Sequence, residues 1–162
     1  MIEVKHNDTV LRAFILFVQS SRAAMKYANS IFYRKANLSA IKFMALQALA
    51  NNRGPMTASA LAEWTSTKRH NITTLVDRLE QNGLVRAERN DKDKRFINIT
   101  LTDRGEEVFN QAKPIAREIV NQVMLSLSED DARLLEKLLG ALMQNVQHGM
   151  EGVAKQDSPQ PG

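Results

Sequence analysis

Between Ser66 and Thr102 the hydrophobic period changes from helix to strand, and that change limits the fold more than any other feature of the chain. Ile72, Leu75, Val76 and Leu79 recur at the three-and-four spacing of one helical face. Leu84-Val85-Arg86-Ala87-Glu88-Arg89 and Phe96-Ile97-Asn98-Ile99-Thr100-Leu101 instead alternate apolar and polar, the pattern of half-buried strands. Gly83 stands at the switch, suited to the left-handed residue that ends a helix. The link Asn90-Asp91-Lys92-Asp93-Lys94 is polar and charged, as a hairpin tip should be. The pattern predicts a helix from Thr67 to Asn82, then a two-stranded hairpin.

The other face of that helix carries the chemistry. His70, Asn71, Thr74 and Arg78 share it, with Lys68, Arg69 and Thr73 near its leading edge. Short hydrogen-bonding side chains among cations are what base edges and phosphates require. A helix kept for solubility more often carries Glu/Lys pairs, and here Asp77 is the one acid before Glu80. The preceding stretch, Ala58-Ser59-Ala60-Leu61-Ala62-Glu63-Trp64, reads as a short helix capped by the Thr57 hydroxyl. Thr65-Ser66-Thr67 is a polar turn, so the two helices form a helix-turn-helix candidate, and the hairpin makes it a winged helix. On this reading Asn71 and His70 face adenine or guanine edges, while Lys68 and Arg69 grip phosphate or guanine. Thr57, Ser59, Thr67 and Thr73 are candidate phosphate donors near helix N-termini.

Charge is distributed in the same sense. The net charge of +4 is modest, but Met1 to Arg95 carries 16 Lys/Arg against 8 Asp/Glu, and the remainder 6 against 10. Basic character gathers where nucleic acid would lie. The alternative, that these cations only solvate their helices, stays open on charge alone.

The chain ends read as long amphipathic helices. Leu11, Phe14, Val18, Ser21, Met25, Ala28 and Phe32 step by three and four, the seam of a helix packed along another. A further helix begins at Leu38 and Ser39, with Ile41, Met44, Ala45, Ala48 and Leu49 inward, and ends near Asn51-Asn52-Arg53-Gly54-Pro55. Val108, Ala112, Ile115, Ile119 and Val123 form another stripe, interrupted by Pro114, which should kink or offset it. Leu135, Leu138, Leu139, Leu142 and Val146 follow a cap at Ser128, with Glu129, Asp130 and Asp131 at the positive end. Apolar faces of this size need a partner, either the winged helix or a second subunit. A dimer is favoured because two recognition helices reach successive major grooves ~34 Å apart. Glu151 to Gly162 is expected to be disordered.

Several of these residues carry a family resemblance. Leu61-Ala62, Thr73 to Glu80, Asn82-Gly83-Leu84-Val85, Asp93-Lys94-Arg95 and Leu101-Thr102-Asp103-Arg104-Gly105 resemble the MarR (multiple antibiotic resistance regulator) family of transcription factors. The resemblance covers all but the first residues and the tail. It implies a mainly α fold with a small β-hairpin wing: residues 1–36 and 106–150 as dimerisation helices, and 37–105 as the DNA-binding winged helix-turn-helix. The partners implied are a pseudo-palindromic double-stranded operator, a second copy of the chain, and a small aromatic or amphipathic anion that releases DNA. The family's wing reads Asp-Arg-Arg, with a basic side chain in the minor groove. Here Lys94 replaces the middle arginine, leaving Lys92, Lys94 or Arg95 as the contact beside Arg89. Asp93 either holds that side chain or pairs with Arg95. The resemblance places a ligand pocket among Arg22, Lys26, Tyr27, Phe43, Met44 and Trp64, although packing under the helix pair is the plainer reading of Trp64.

Other functions find little footing. The chain has no cysteine, and His6, His70 and His148 lack ligand spacing, so neither a metal nor another cofactor is expected. No nucleophile–base pair or phosphate-cradling glycine loop points to an enzyme. There is no long apolar run or signal-like start, so a cytoplasmic location is expected. A winged-helix protein-interaction module that reads no DNA is the remaining alternative, and Lys68-Arg69 with Arg89 to Arg95 weigh against it.

Overall fold

A computed structural model of the chain describes residues 8–52, 54–90, 94 and 96–156. Among these, six helices and three strands follow in order: α1 Thr9–Ala36, α2 Ala40–Asn52, β1 Met56–Thr57, α3 Ala58–Trp64, α4 Arg69–Gln81, β2 Val85–Arg89, β3 Ile97–Leu101, α5 Asp103–Val123 and α6 Glu129–Gln156. One compact unit runs to Val120, and a second begins at Asn121.

Side chains fix where the helices begin. Asp8 accepts the Leu11 N–H at 3.0 Å, opening α1. That helix closes at Asn37, which adopts the left-handed region at φ 48° and donates to the Tyr33 carbonyl. Ser39 accepts from Lys42 N–H at 3.3 Å, and Asn29 of α1 accepts from Ala40 N–H at 2.8 Å, so α1 itself helps to start α2. In the second unit Ser128 accepts from Asp131 N–H, and its own hydroxyl and N–H donate to the Asp131 carboxylate. Those two donations hold the exposed Asp131 carboxyl below the usual carboxylate range.

The core of the first unit is larger than residues 37–105. Leu46, Leu61, Ile72, Leu79 and Ile99 are fully buried, and Phe109, Ala112 and Ile119 of α5 join the same cluster. Phe32 stacks on Phe43 with centroids 4.8 Å apart, and Phe43 meets Phe109 at 5.5 Å, so one aromatic column ties α1, α2 and α5 together. Lys35 and Glu118 pair at 2.5 Å across the same two outer helices. α5 thus packs into the core from Gly105 to Ile119, and it continues through Pro114 as one helix. The sheet is antiparallel in the order β1-β3-β2. β1 was not expected: its two residues pair Met56 with Ile99 and Thr57 with Asn98, too short a run for any period to show. The expected disorder from Glu151 is also corrected, since α6 extends to Gln156. Val153, Ala154 and Lys155 do not oppose a helix, and the breaking residues Pro159 and Pro161 come later; residues 157–162 lie outside the described ones.

A small junction joins α4, the hairpin and α5. Gly83 takes φ 69°, and its N–H and that of Leu84 close α4 on the Glu80 and Leu79 carbonyls. The Thr102 hydroxyl donates to the Gly83 carbonyl at 2.6 Å and accepts from Gly105 N–H at 3.0 Å. Thr102 N–H donates in turn to the Leu84 carbonyl. A Cβ on Gly105 would stand 1.9 Å from that carbonyl oxygen, so only glycine permits the approach. Gly105→Ala should therefore lower stability by about 3 kcal/mol or more, and Thr102→Val by ~1–2 kcal/mol through the lost cap. Denaturant unfolding at one fixed protein concentration measures both; an unchanged midpoint for Gly105→Ala would contradict the close approach.

Candidate nucleic-acid interface

The turn before α4 explains why the helix starts later than the sequence suggests. Ser66 adopts φ 50°, its N–H reaches the Glu63 carbonyl, and Thr67 N–H reaches that of Ala62 at 2.8 Å, completing α3. Thr65 is buried and donates to the Leu61 carbonyl at 2.7 Å, which fixes the turn from within. Thr67 and Lys68 are therefore turn residues, and α4 begins at Arg69. Lys68 occupies the cap position without a side-chain cap bond, and its carbonyl accepts from the Asn71 and Ile72 N–H groups. Thr67 donates its hydroxyl proton to the Thr65 carbonyl at 3.2 Å, an acceptor within the turn itself.

α4 is divided as its periodicity predicts. Ile72, Leu75, Val76 and Leu79 are buried in the shared core, and Lys68, His70, Asn71, Thr73, Thr74 and Arg78 are exposed. A recess of about 470 Å³ lies along this helix, lined by Ile41, Thr67, Asn71, Thr74, Leu75 and Arg78. It brings Asn71, Thr74 and Arg78 into one row with Thr67. No acid lies in the first turn of α4, so the positive helix end is uncompensated there. Thr57 caps α3, accepting from Ala60 N–H at 3.2 Å, and Ser59 is exposed beside it.

The hairpin supplies a second edge. Asn90 N–H donates to the Phe96 carbonyl at 2.9 Å, closing the ladder just before the tip. Arg89 and Lys94 are exposed; Asp91, Lys92, Asp93 and Arg95 lie outside the described residues, as does the side chain of Arg69. The proposed Asp93–Arg95 pairing therefore falls outside them too. A second recess, about 300 Å³, separates α4 from the hairpin, with Thr73, Asp77 and Glu80 on one wall and Ala87, Arg89 and Ile97 on the other. Glu80 crosses this gap, accepting the Ala87 N–H at 2.9 Å. In the sequence Glu80 stands out only as the last residue of the Thr73 to Glu80 motif. Its signal was present: an acid in the last turn opposes the helix dipole and so needs another reason to be there.

Of the six residues expected around a ligand, Phe43 borders a cavity that the other five do not line. Phe43 is a core residue, held between Phe32 and Phe109. It also forms the floor of a cavity of about 510 Å³ whose other walls are Gln47, Asn51, Phe109, Lys113, Pro114, Ala116, Arg117 and Val120. Lys113 lies 4.7 Å over the Phe109 ring. Arg22 and Lys26 are exposed on α1, Tyr27 and Met44 are half-buried, and none of them lines this cavity. Trp64 is 44 % exposed, which corrects its reading as a packing residue: α3 has only seven residues, and Leu61, Ala62 and the following Thr65 take its inward positions. Among the described residues no group of three or more His, Asp or Glu could hold a metal ion. Among them, too, no helix is long and apolar enough to cross a membrane.

Comparison with known proteins places these features in a family. A family model described as the MarR family matches residues 36–95. The HTH-type transcriptional regulator YkoM of Bacillus subtilis is 31% identical over 104 residues, covering 64% of this chain and 68% of that protein. MgrA of Staphylococcus aureus, also named an HTH-type transcriptional regulator, is 26% identical over 139 residues, 86% of this chain and 92% of its own. The crystal structure of Sco3205, a MarR family transcriptional regulator from Streptomyces coelicolor in complex with DNA, superposes with a TM-score of 0.77. It is 24% identical and covers 91% of this chain and 93% of its own.

The division of α4 into a buried and an exposed face can be measured. Leu79→Ala should lower stability by ~2–5 kcal/mol, because the site is fully enclosed. Asn71→Ala and Thr74→Ala should each stay within ~0.5 kcal/mol. A large loss for either polar variant in denaturant unfolding would mean that face is packed rather than presented.

Proposed function

The chain belongs to the MarR family, and from that membership we infer that it is a sequence-specific regulator of transcription that binds double-stranded DNA as a homodimer. The observation that carries this reading is the exposed row of Asn71, Thr74 and Arg78 on α4, set over a fully buried Ile72 and Leu79. A rigid helix with hydrogen-bonding side chains outward and cations at its leading end suits a major groove. Its role is binding, not catalysis, and such a regulator works where the DNA is, in the cytoplasm.

In this mechanism Asn71 and His70 read base edges from the first turns of α4, and Lys68 and Arg69 take phosphate or guanine. Thr57, Ser59 and Thr73 border the backbone, and Arg78 extends the contact along the same face. The hairpin lies against the neighbouring minor groove, with Arg89 and Lys94 among its cations. Pairing of two chains rests on the long apolar seams. Phe14 of α1 is 61% exposed, and Leu138, Leu142 and Val146 of α6 are exposed as well. Burying such stripes against a second copy removes a patch too large for a lone subunit. Residues 1–36 and 106–150 would then supply the dimer helices, and 37–105 the DNA contact.

The regulator acts as a repressor that a small aromatic or amphipathic anion releases. The cavity over Phe43 and Phe109 fits that ligand class better than the Arg22–Trp64 grouping, since Lys113 and Arg117 stand beside two aromatic rings, with Gln47 and Asn51 as further polar groups.

Duplex affinity should fall steeply with salt, because each phosphate neutralised releases counterions. Asn71→Ala should relax sequence preference at a cost of ~1–3 kcal/mol, whereas Lys94→Ala should weaken all duplexes nearly alike. A flat salt profile would instead favour a protein-interaction module, and equal losses for both variants on every duplex would refute this division of labour. Sedimentation at micromolar concentration should give twice the 18.2 kDa chain mass; a monomer there contradicts the pairing.

A further inference from the structure

We propose that Glu80 is a positioning residue that sets the wing against the recognition helix, an assignment that rests on the DNA-binding reading of α4. β2 is an edge strand, bonded to β3 on one side only. Its register pairs Ala87 with Ile99, and the neighbouring ladder bond runs from Asn90 N–H to the Phe96 carbonyl. By the alternation of an antiparallel ladder, Ala87 N–H then points away from β3, towards the open edge. The Glu80 carboxylate accepts this outward donor at 2.9 Å from seven residues earlier in the chain.

The bond sits where leverage on the wing is greatest. Thr73, Asp77 and Glu80 follow one another along the edge of α4 that faces the hairpin, a row adjacent to Asn71, Thr74 and Arg78. Across the recess stand Ala87, Arg89 and Ile97, with apolar Val76 and Ile99 beneath. A recess of about 300 Å³ leaves the two elements incompletely packed here. The carboxylate–amide bond therefore supplies a directional link that side-chain packing does not. From Ala87 the chain runs on through Arg89 to Asn90 at ~3.3 Å per residue, so a tilt of ~10° at Ala87 carries Asn90 roughly 2 Å. Helix stability is no alternative reason for this acid, because a carboxylate in the last turn opposes the dipole. An acceptor at position 80 keeps the wing's cations in register with the groove next to the one that α4 enters.

The test uses the full chain and its Glu80→Ala and Glu80→Gln variants. Each is measured on a long selected duplex and on one trimmed to the major-groove positions beneath α4. Wild type should prefer the long duplex. Glu80→Ala should lose about tenfold on it while matching wild type on the short one and in unfolding midpoint. Glu80→Gln, whose amide oxygen still accepts, should behave as wild type. Hydrogen exchange at the Ala87 amide should quicken in Glu80→Ala alone. Wild-type preference for the long duplex in Glu80→Ala, equal losses on both duplexes, or unchanged Ala87 exchange would each overturn the proposal. A wild-type protein that binds neither duplex would overturn the DNA-binding reading, and this assignment with it.

Discussion

The fold turns on the contact between the Leu84 carbonyl and Gly105. Nothing larger than hydrogen fits on the Gly105 α-carbon, and Thr102 locks the approach by bonding Gly83 and capping α5 with one hydroxyl. Three directions of chain are fixed at this point: the end of α4, the root of the hairpin and the start of α5. The end of α4 and the root of the hairpin are thus fixed to one another, although a recess separates the two elements further along, where Glu80 bridges them. α5 then carries the constraint outward, since Phe109 meets Phe43 and the aromatic column continues to Phe32 in α1. Glu118 reaches Lys35 along the same path. On the proposed function, α4 as the DNA-reading helix and α1 as a pairing helix are joined by packed side chains rather than by a linker, the physical basis on which two subunits would space two such helices.

That continuity bears on regulation. The cavity beside Phe43 is walled by α2 and α5, the elements through which the column passes. An anion seated there would contact Lys113, which now lies over Phe109. Any shift of that ring is felt on both sides, because close-packed interiors transmit displacement rather than absorb it. On the proposed function, a ligand there would not have to touch the polar face of α4 to act on it.

Much of this was legible in the residues. The buried face of α4, the Thr57 cap, the Gly83 stop and both long strands follow from local periodicity and turn chemistry, and these are properties of near neighbours in sequence. What escaped depends on distant partners. β1 owes its existence to β3 rather than to its own two residues. Asn29 caps a helix eleven positions away, and Glu80 bonds an edge amide that sequence alone does not expose. Thr67 was assigned to α4 because its polar character fits either state; the tight closure of α3 decided the matter. The surroundings of Phe43 were hidden for a related reason. Phe43 carries an aromatic ring that could face a ligand or a core, and only the presence of Phe32 and Phe109 on either side shows that it does the latter first.

The central claim is that two copies of α4 lie in successive major grooves with their polar faces against the bases. Methylation protection on a selected duplex tests it most directly, since dimethyl sulfate reports guanine N7, which faces the major groove. Two protected patches about 10 base pairs apart on one face of the duplex are expected, lost together when Asn71 and Arg78 are replaced by alanine. Tight binding that leaves every guanine N7 open to methylation would contradict it.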